Sequence, residues 1–413
     1  MDKKVIYVDA AASALKPESV IRAEMDFLQN HYANAGRGVC ARATAVDDMV
    51  SNTRKMVAEF INASPEQIVF TSGTTDGMNR IPKMIGYFGM HPFDDDTERL
   101  TVMASDLDHH SARMPFEYFH HQDSGGFALC PLDENLNLDA ANVPRSDIFV
   151  ITAMSNVLGV PQDVKKLVAA AKAQNPKVIT IVDAAQYVAH LPIDVKDWDC
   201  DFMCFSGHKI GADTGIGVMY IKDPARWSPD KLGGGMVSSV DVQRHLIDNR
   251  DVEFKSHWNF APGPAKFEAG TLPLTQIAGL GAAIGANFKF HPSSPLRGYA
   301  AARISNFKYL DYLRGEFSKI SRIRFISPAG AHILTFVIDG PPSPDISGVT
   351  SMHPLDFGAM MGAHGVCLRV GNMCASWIHA RLGVTGTIRI SVGPWNTMEE
   401  MEEIVRITKE IIK

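Results

Sequence analysis

Four short segments are apolar at nearly every position: Gln67–Phe70, Asp147–Ile151, Val178–Val182 and Asp201–Phe205. A strand with one wet face alternates apolar and polar residues. These do not alternate, so both faces are expected to be buried, as in a mostly parallel sheet covered by helices. Between the second and third segments, Gln162 to Ala173 reads as an amphipathic helix, with Val164, Leu167, Val168 and Ala171 on one stripe. Strand and helix patterns alternate from about residue 50 to 225, which predicts an α/β doubly wound sheet.

Beyond about residue 285 the pattern changes. A helix over Leu296–Ser318 precedes strands at Ile323–Ile326 and Ile333–Val337, then a Gly/Pro/Ser-rich loop, Asp339–Ser351. A helix near Leu355–Ala363, strands at Gly365–Arg369 and Thr387–Ser391, and a last helix follow. Thr397 and Glu400 form a capping box for that helix. This stretch reads as a smaller α+β C-terminal domain.

Composition excludes several classes. The chain has 413 residues, 46% apolar and 21% charged, enough to bury a sizeable core. A net charge of −6 argues against a nucleic-acid partner, which calls for a basic surface. No apolar run reaches the ~18 residues of a membrane span. Six cysteines without a CxxC pair fit neither a disulfide scaffold nor a four-cysteine zinc site. Met1–Lys4 runs directly into the short apolar strand Val5–Val8, so no targeting segment is read and a cytoplasmic location is expected, although an organellar protein stripped of its transit peptide would look the same. His109-His110 and His120-His121 raise a metal site; adjacent residues on a strand face opposite ways, and none is expected.

Ligands of an open α/β sheet bind beyond the carboxyl ends of its strands. Those ends carry Thr71-Ser72-Gly73-Thr74-Thr75, Ser105-Asp106-Leu107-Asp108-His109-His110, Thr152-Ala153-Met154-Ser155-Asn156, Asp183-Ala184-Ala185-Gln186 and Ser206-Gly207-His208-Lys209. Small hydroxyl residues before a helix can cradle a phosphate, or simply cap the helix. Asp183, ending an apolar strand, is costly to bury without a partner such as a protonated ring nitrogen; a salt bridge would serve equally. A desolvated Lys209 can lose its proton and condense with an aldehyde, or it can be an ordinary surface lysine. Phosphate cradle, acid and lysine together meet the needs of pyridoxal phosphate (PLP).

The residues now carry a specific resemblance. Tyr7-Val8-Asp9-Ala10-Ala11-Ala12-Ser13, Asn34-Ala35-Gly36-Arg37-Gly38, Gly73-Thr74-Thr75-Asp76-Gly77, Ser155-Asn156-Val157-Leu158-Gly159, Asp183-Ala184-Ala185-Gln186, Ser206-Gly207-His208-Lys209, Phe267-Glu268-Ala269-Gly270-Thr271, Arg389-Ile390-Ser391 and Trp395-Asn396-Thr397 occur in family order. The chain resembles class V aminotransferase-fold enzymes of the cysteine desulfurase group, nearest the SufS-type branch, which includes selenocysteine lyases. The resemblance implies a fold type I PLP-dependent transferase with a mostly parallel seven-stranded central sheet. Residues 1–20 would join the small domain, 21–285 form the large PLP-binding domain, and 286–413 form the small α+β domain carrying the catalytic cysteine.

The resemblance also implies roles. Lys209 would hold PLP and move the substrate's α-proton. Asp183 would pair with the pyridine nitrogen, and His109 would stack on the ring. Asn156 and Gln186 would face the ring hydroxyl. Thr74, Thr75, Ser206 and His208 would hold the phosphate, joined by Thr271 from the other subunit of a homodimer. Arg389 would clamp the substrate carboxylate, with Asn156, Ala11 and Arg37 around the substrate. Cys374, in Arg369-Val370-Gly371-Asn372-Met373-Cys374-Ala375, lies 15 residues before Arg389 and would take sulfur from L-cysteine as a persulfide, releasing alanine, for transfer to an acceptor protein in iron–sulfur cluster assembly or another pathway. The other five cysteines, Cys40, Cys130, Cys200, Cys204 and Cys367, read as buried structural thiols. Alternatives are a selenocysteine lyase or another class V PLP enzyme: a β-lyase, epimerase or aminotransferase. Four departures motivate them, since Gly36, Cys40, Asn372 and Met373 stand where the branch usually has histidines. Ala112 and the Ile210–Gly215 stretch also depart from the branch pattern.

Overall fold

A computed structural model describes residues 5–36, 38–86, 100–123, 126–247, 250–287, 296–340 and 352–413. Its central sheet has seven strands. Across the sheet they run Ile68–Thr71, Gly217–Ile221, Phe202–Ser206, Ile179–Asp183, Ile148–Thr152, Val102–Ala104 and Phe127–Leu129. Six point the same way, and Gly217–Ile221 is antiparallel to both neighbours. The stretch between Ser206 and Gly217 is too short for the helical crossover that a parallel neighbour requires, so the chain turns back.

The apolar runs are buried on both faces. Phe149 and Ile151 join a core with Val57 of helix Ala41–Phe60 and Leu167 of helix Val164–Gln174. Ile148 and Val150 join the opposite core with Ile81 of helix Thr74–Met84 and Phe116 of helix His110–Asp123.

The C-terminal part builds a four-stranded antiparallel sheet in the order Ile323–Phe325, Leu334–Ile338, Thr387–Ile390, Arg369–Gly371. Leu313 of helix Leu296–Phe317, Phe357 of helix Pro354–Ala363 and Ile404 of helix Met398–Ile411 share one core with it. The capping box of Thr397 and Glu400 is formed. The single strand expected over Gly365–Arg369 is instead two. Val366–Cys367 pairs with Ile6–Tyr7, while Arg369–Gly371 pairs with Thr387–Ile390, the chain changing partner at Leu368. Most of the Asp339–Ser351 loop lies outside the described residues. A hairpin of Val237–Ile247 and Arg250–Phe260 has no counterpart in the sequence reading.

The two parts meet at the loop after Ile148–Thr152. Thr335 Oγ1 donates to the Val157 carbonyl at 2.6 Å, and the His332 N–H to the Gly159 carbonyl at 2.9 Å. Gly159 has φ 67°, and a Cβ there would lie 2.3 Å from Ile333 Cγ1, so only glycine fits.

Candidate active site

The parallel strands deliver Thr71, Thr152, Asp183 and Ser206 to one edge of the sheet. A cavity of about 240 Å³ opens there, lined by Thr74, Thr75, His109, Asn156, Asp183, Gln186, Ser206, His208 and Lys209. These are all the cofactor residues expected within one protomer. At one end, the Thr74 N–H begins a helix and donates to Ser206 Oγ at 2.8 Å. The two hydroxyls, Thr74 Oγ1 and Ser206 Oγ, lie 2.9 Å apart. A Cβ on Gly217 would sit 2.5 Å from Gly73 Cα, so glycine lets the two backbones approach beneath this turn. Hydroxyls and the N–H end of a helix suit an anion.

Electrostatics divide the cavity by burial. Asp183 is desolvated, which pushes its carboxyl up to about 6 despite the Ala185 N–H that it accepts at 2.9 Å. Lys209 is brought down to about 7 by burial and by the Arg389 charge. Its Nζ donates to the Ala11 carbonyl, which also accepts from Gln186 Nε2 at 2.6 Å. His109 falls to about 4 through burial and the Lys209 charge. Its Nδ1 accepts the Ser111 N–H at 3.2 Å, so a neutral ring carries its proton on Nε2. Burial also lowers His208 to about 4.

His208 Nδ1 and Asn156 Oδ1 are buried with no hydrogen-bond partner among the described residues. Orphan polar atoms beside a desolvated acid are costly in a closed protein and natural in a site that receives a polar ligand. A phosphate at one end and a protonated ring nitrogen at Asp183 would satisfy this set, so the residues fit PLP.

Arg389, 2% exposed, lies on strand Thr387–Ile390 of the small sheet and reaches the cavity residue Asn156. Its guanidinium donates to the Asn156 carbonyl at 2.9 Å and to Asp9 Oδ1 at 3.0 Å, and its Nε has no partner among the described residues. Asp9 holds a second cation through Oδ2, Arg369 at 2.8 Å. Cys374 is exposed on a turn tied to the cavity wall: Asn156 Nδ2 donates to the Met373 carbonyl at 2.8 Å, and the His110 N–H to the Cys374 carbonyl at 2.8 Å.

The family model for class V aminotransferases matches residues 6–404. The chain belongs to the class V aminotransferase family. Within it the chain falls in the cysteine desulfurase group. It is 31% identical over 409 residues to a cysteine desulfurase of Pectobacterium carotovorum, covering 97% of this chain and 91% of that protein. With a cysteine desulfurase of an Enterobacter species it shares 32% identity, covering 98% and 93%. Solved structures agree. The apo cysteine desulfurase of Thermococcus onnurineus superposes with a TM-score of 0.83 at 26% identity, covering 99% of this chain and 94% of that one. The S-sulfonic acid form of the cysteine desulfurase CsdA from Escherichia coli gives 0.81 at 28%, covering 98% and 94%. Enzymes of this family depend on PLP.

The remaining expected residues are placed differently. Thr271 is exposed on the protomer surface and Ala11 contributes a backbone carbonyl, while Arg37 lies outside the described residues. Two thiols correct the sequence reading, because Cys40 and Cys367 are exposed rather than buried. Cys40 immediately precedes the helix Ala41–Phe60, and Cys367 lies on a two-residue strand that pairs only with Ile6–Tyr7 among the described residues. Cys130, Cys200 and Cys204 are buried.

The departure at Asn372 has a local explanation. Its Oδ1 accepts the Cys374 N–H at 3.2 Å, closing a side-chain turn of the kind asparagine favours. Two buried acids near the site have no assigned part in the sequence reading. Asp9 was visible only as part of a motif. Asp108 is fully buried and accepts from Thr152 Oγ1 and, at 2.6 Å, from the Ser105 N–H. Its signal was its place beside the histidine pair after an apolar strand. No helix among the described residues is long and apolar enough to cross a membrane.

Proposed function

We propose that the protein is a PLP-dependent cysteine desulfurase that converts L-cysteine to L-alanine and retains the sulfur as a persulfide on Cys374. The observation that carries this reading is the anchoring of an exposed cysteine to both sides of the cavity, through Asn156 and through the residue beside His109.

When bound, PLP supplies an electron sink that labilises bonds of the attached amino acid. Lys209 would hold it, and burial and the Arg389 charge depress its pKa to about 7, which suits an amine that, when released, accepts the α-proton. Asp183 would pair with the ring nitrogen and keep it protonated. His109 would cover the ring as a neutral imidazole, with Asn156 and Gln186 toward the ring hydroxyl. Thr74, Thr75, Ser206 and His208 would hold the phosphate, joined by the partner subunit's Thr271 in a homodimer. Arg389 binds the substrate carboxylate. Its free Nε points to a side-on pair, while Asp9 and the Asn156 carbonyl fix the rest of the guanidinium. The Cys374 thiolate attacks the substrate sulfur. The new S–S bond forms as the carbon–sulfur bond breaks, and the carbon fragment takes a proton and departs as alanine. The persulfide sulfur then passes to an acceptor protein.

Cys374→Ala separates the steps. The variant should bind PLP with an unchanged absorption band and lose alanine release from cysteine with a physiological acceptor. Full alanine release would sink the persulfide mechanism. Offering selenocysteine and a panel of other amino acids to the native enzyme, and following alanine, pyruvate, keto acids and racemised products, tests the substrate.

A further inference from the structure

The turn that bears Cys374 holds two consecutive residues in the left-handed region, Met373 at φ 51° and Cys374 at φ 53°. Residues with side chains keep this conformation only where the surroundings impose it. Here His110 supplies two of the restraints. Its N–H donates to the Cys374 carbonyl at 2.8 Å. Its ring Nε2 accepts the Ser376 N–H at 3.2 Å and lies 3.0 Å from Ser376 Oγ.

A backbone N–H can only donate, so Nε2 presents a lone pair and the neutral ring keeps its proton on Nδ1. Burial lowers the His110 pKa, which favours that neutral ring. Ser376 Oγ in turn accepts from Asn372 Nδ2 at 3.3 Å, and Asn372 Oδ1 accepts the Cys374 N–H at 3.2 Å. The chain of contacts closes on itself, from His110 through Ser376 and Asn372 to Cys374 and back. Trp377 braces the imidazole edge-on with ring centroids 5.1 Å apart, and the Arg113 guanidinium lies 4.2 Å above Trp377.

We propose that His110 is a positioning residue for Cys374: its accepting Nε2 holds Ser376, and through Ser376 and Asn372 it keeps the thiol-bearing turn in its left-handed form. This rests on the reading of Cys374 as the sulfur acceptor. His110 need touch neither substrate nor cofactor, so the effect falls on sulfur capture and not on substrate binding.

The test compares His110→Phe, which keeps ring size without an acceptor, with His110→Gln, whose amide oxygen can take the place of Nε2. In the PLP-loaded enzyme, His110→Phe should lower kcat on the order of 10- to 100-fold with KM for cysteine within about twofold, and His110→Gln should restore most of the loss. Amide hydrogen exchange across Asn372–Ser376 should quicken in the Phe variant and recover in the Gln variant. Nitrogen NMR of the unmodified enzyme should show His110 protonated at Nδ1. Unchanged kcat and exchange in His110→Phe, failure of His110→Gln to rescue, or a proton on Nε2 of the native ring would each overturn the proposal. The NMR result decides even if His110→Phe does not fold. Should Cys374→Ala keep full alanine release, the desulfurase reading fails, while exchange and tautomer still judge the pinning of the turn.

Discussion

Asp9 and Arg389 form a buried ion pair at 3.0 Å although 380 residues separate them. The isolated bridge between Asp9 and Ser391 brings the N-terminal segment alongside the strand that carries Arg389, so the acid arrives by strand pairing. Removing one partner of a buried pair leaves an uncompensated charge. Asp9→Asn should therefore destabilise the protein by about 3 kcal/mol and raise KM for cysteine. Denaturant unfolding and steady-state kinetics check both. An unchanged KM would show that Asp9 does not orient the guanidinium.

Lys209 sets a pH dependence with a definite sign. Its folded-state pKa of about 7 lies below the ordinary lysine value of 10.5, so between these values the unfolded chain binds more protons. The apo protein should gain stability as pH rises from about 7, and Lys209→Met should lose that gain. Denaturant midpoints of both proteins at pH 7 and pH 9 make the comparison. PLP capture needs the neutral amine, so its rate should rise through about pH 7 and then level off. A rate still climbing at pH 10 would contradict the depressed pKa.

The buried acids act in the opposite direction. Burial raises Asp183 to about 6 and Asp108 to about 7, from an ordinary 3.8. Between about pH 4 and 7 the folded apo protein holds protons that the unfolded chain has released, so its stability should fall as pH rises across that window. Asp183→Asn should flatten the lower part of the slope. Loading with PLP should flatten it too, since a cationic ring nitrogen stabilises the ionised acid. Urea midpoints of apo and loaded protein at pH 5 and 7 test this, and parallel slopes would remove Asp183 from the cofactor site.

Gly77 shows how tightly the helix Thr74–Met84 lies on the sheet. A Cβ there would be 2.6 Å from Cys204 Sγ. Gly77→Ala should cost about 1–3 kcal/mol by overpacking, despite alanine's better helix propensity. Adding Cys204→Ala should recover much of it, with a coupling energy of at least about 0.5 kcal/mol. Additive single and double variants would mean that the clash is relieved elsewhere.

The residues that became the cavity were legible because strand ends of a parallel sheet converge, so each polar segment following an apolar run had one place to go. Lys209, Asp183 and the Thr74–Ser206 contact follow from that geometry. The exposure of Cys40 and Cys367 is not legible in the sequence, because low polarity describes a thiol while its place in the fold decides its exposure.

Apolar runs unbroken by polar residues, by themselves, determined a buried sheet and the edge at which its chemistry collects. Periodicity encodes which faces lose water, and that is a local property. Only the tertiary structure decided which polar groups meet. The reversal of Gly217–Ile221, the Asp9–Arg389 pair and the closure of the Cys374 turn on His110 each depend on segments far apart in the chain. Hydrogen bonds and ion pairs act over a few ångströms, so they are written only when the fold has brought such segments together.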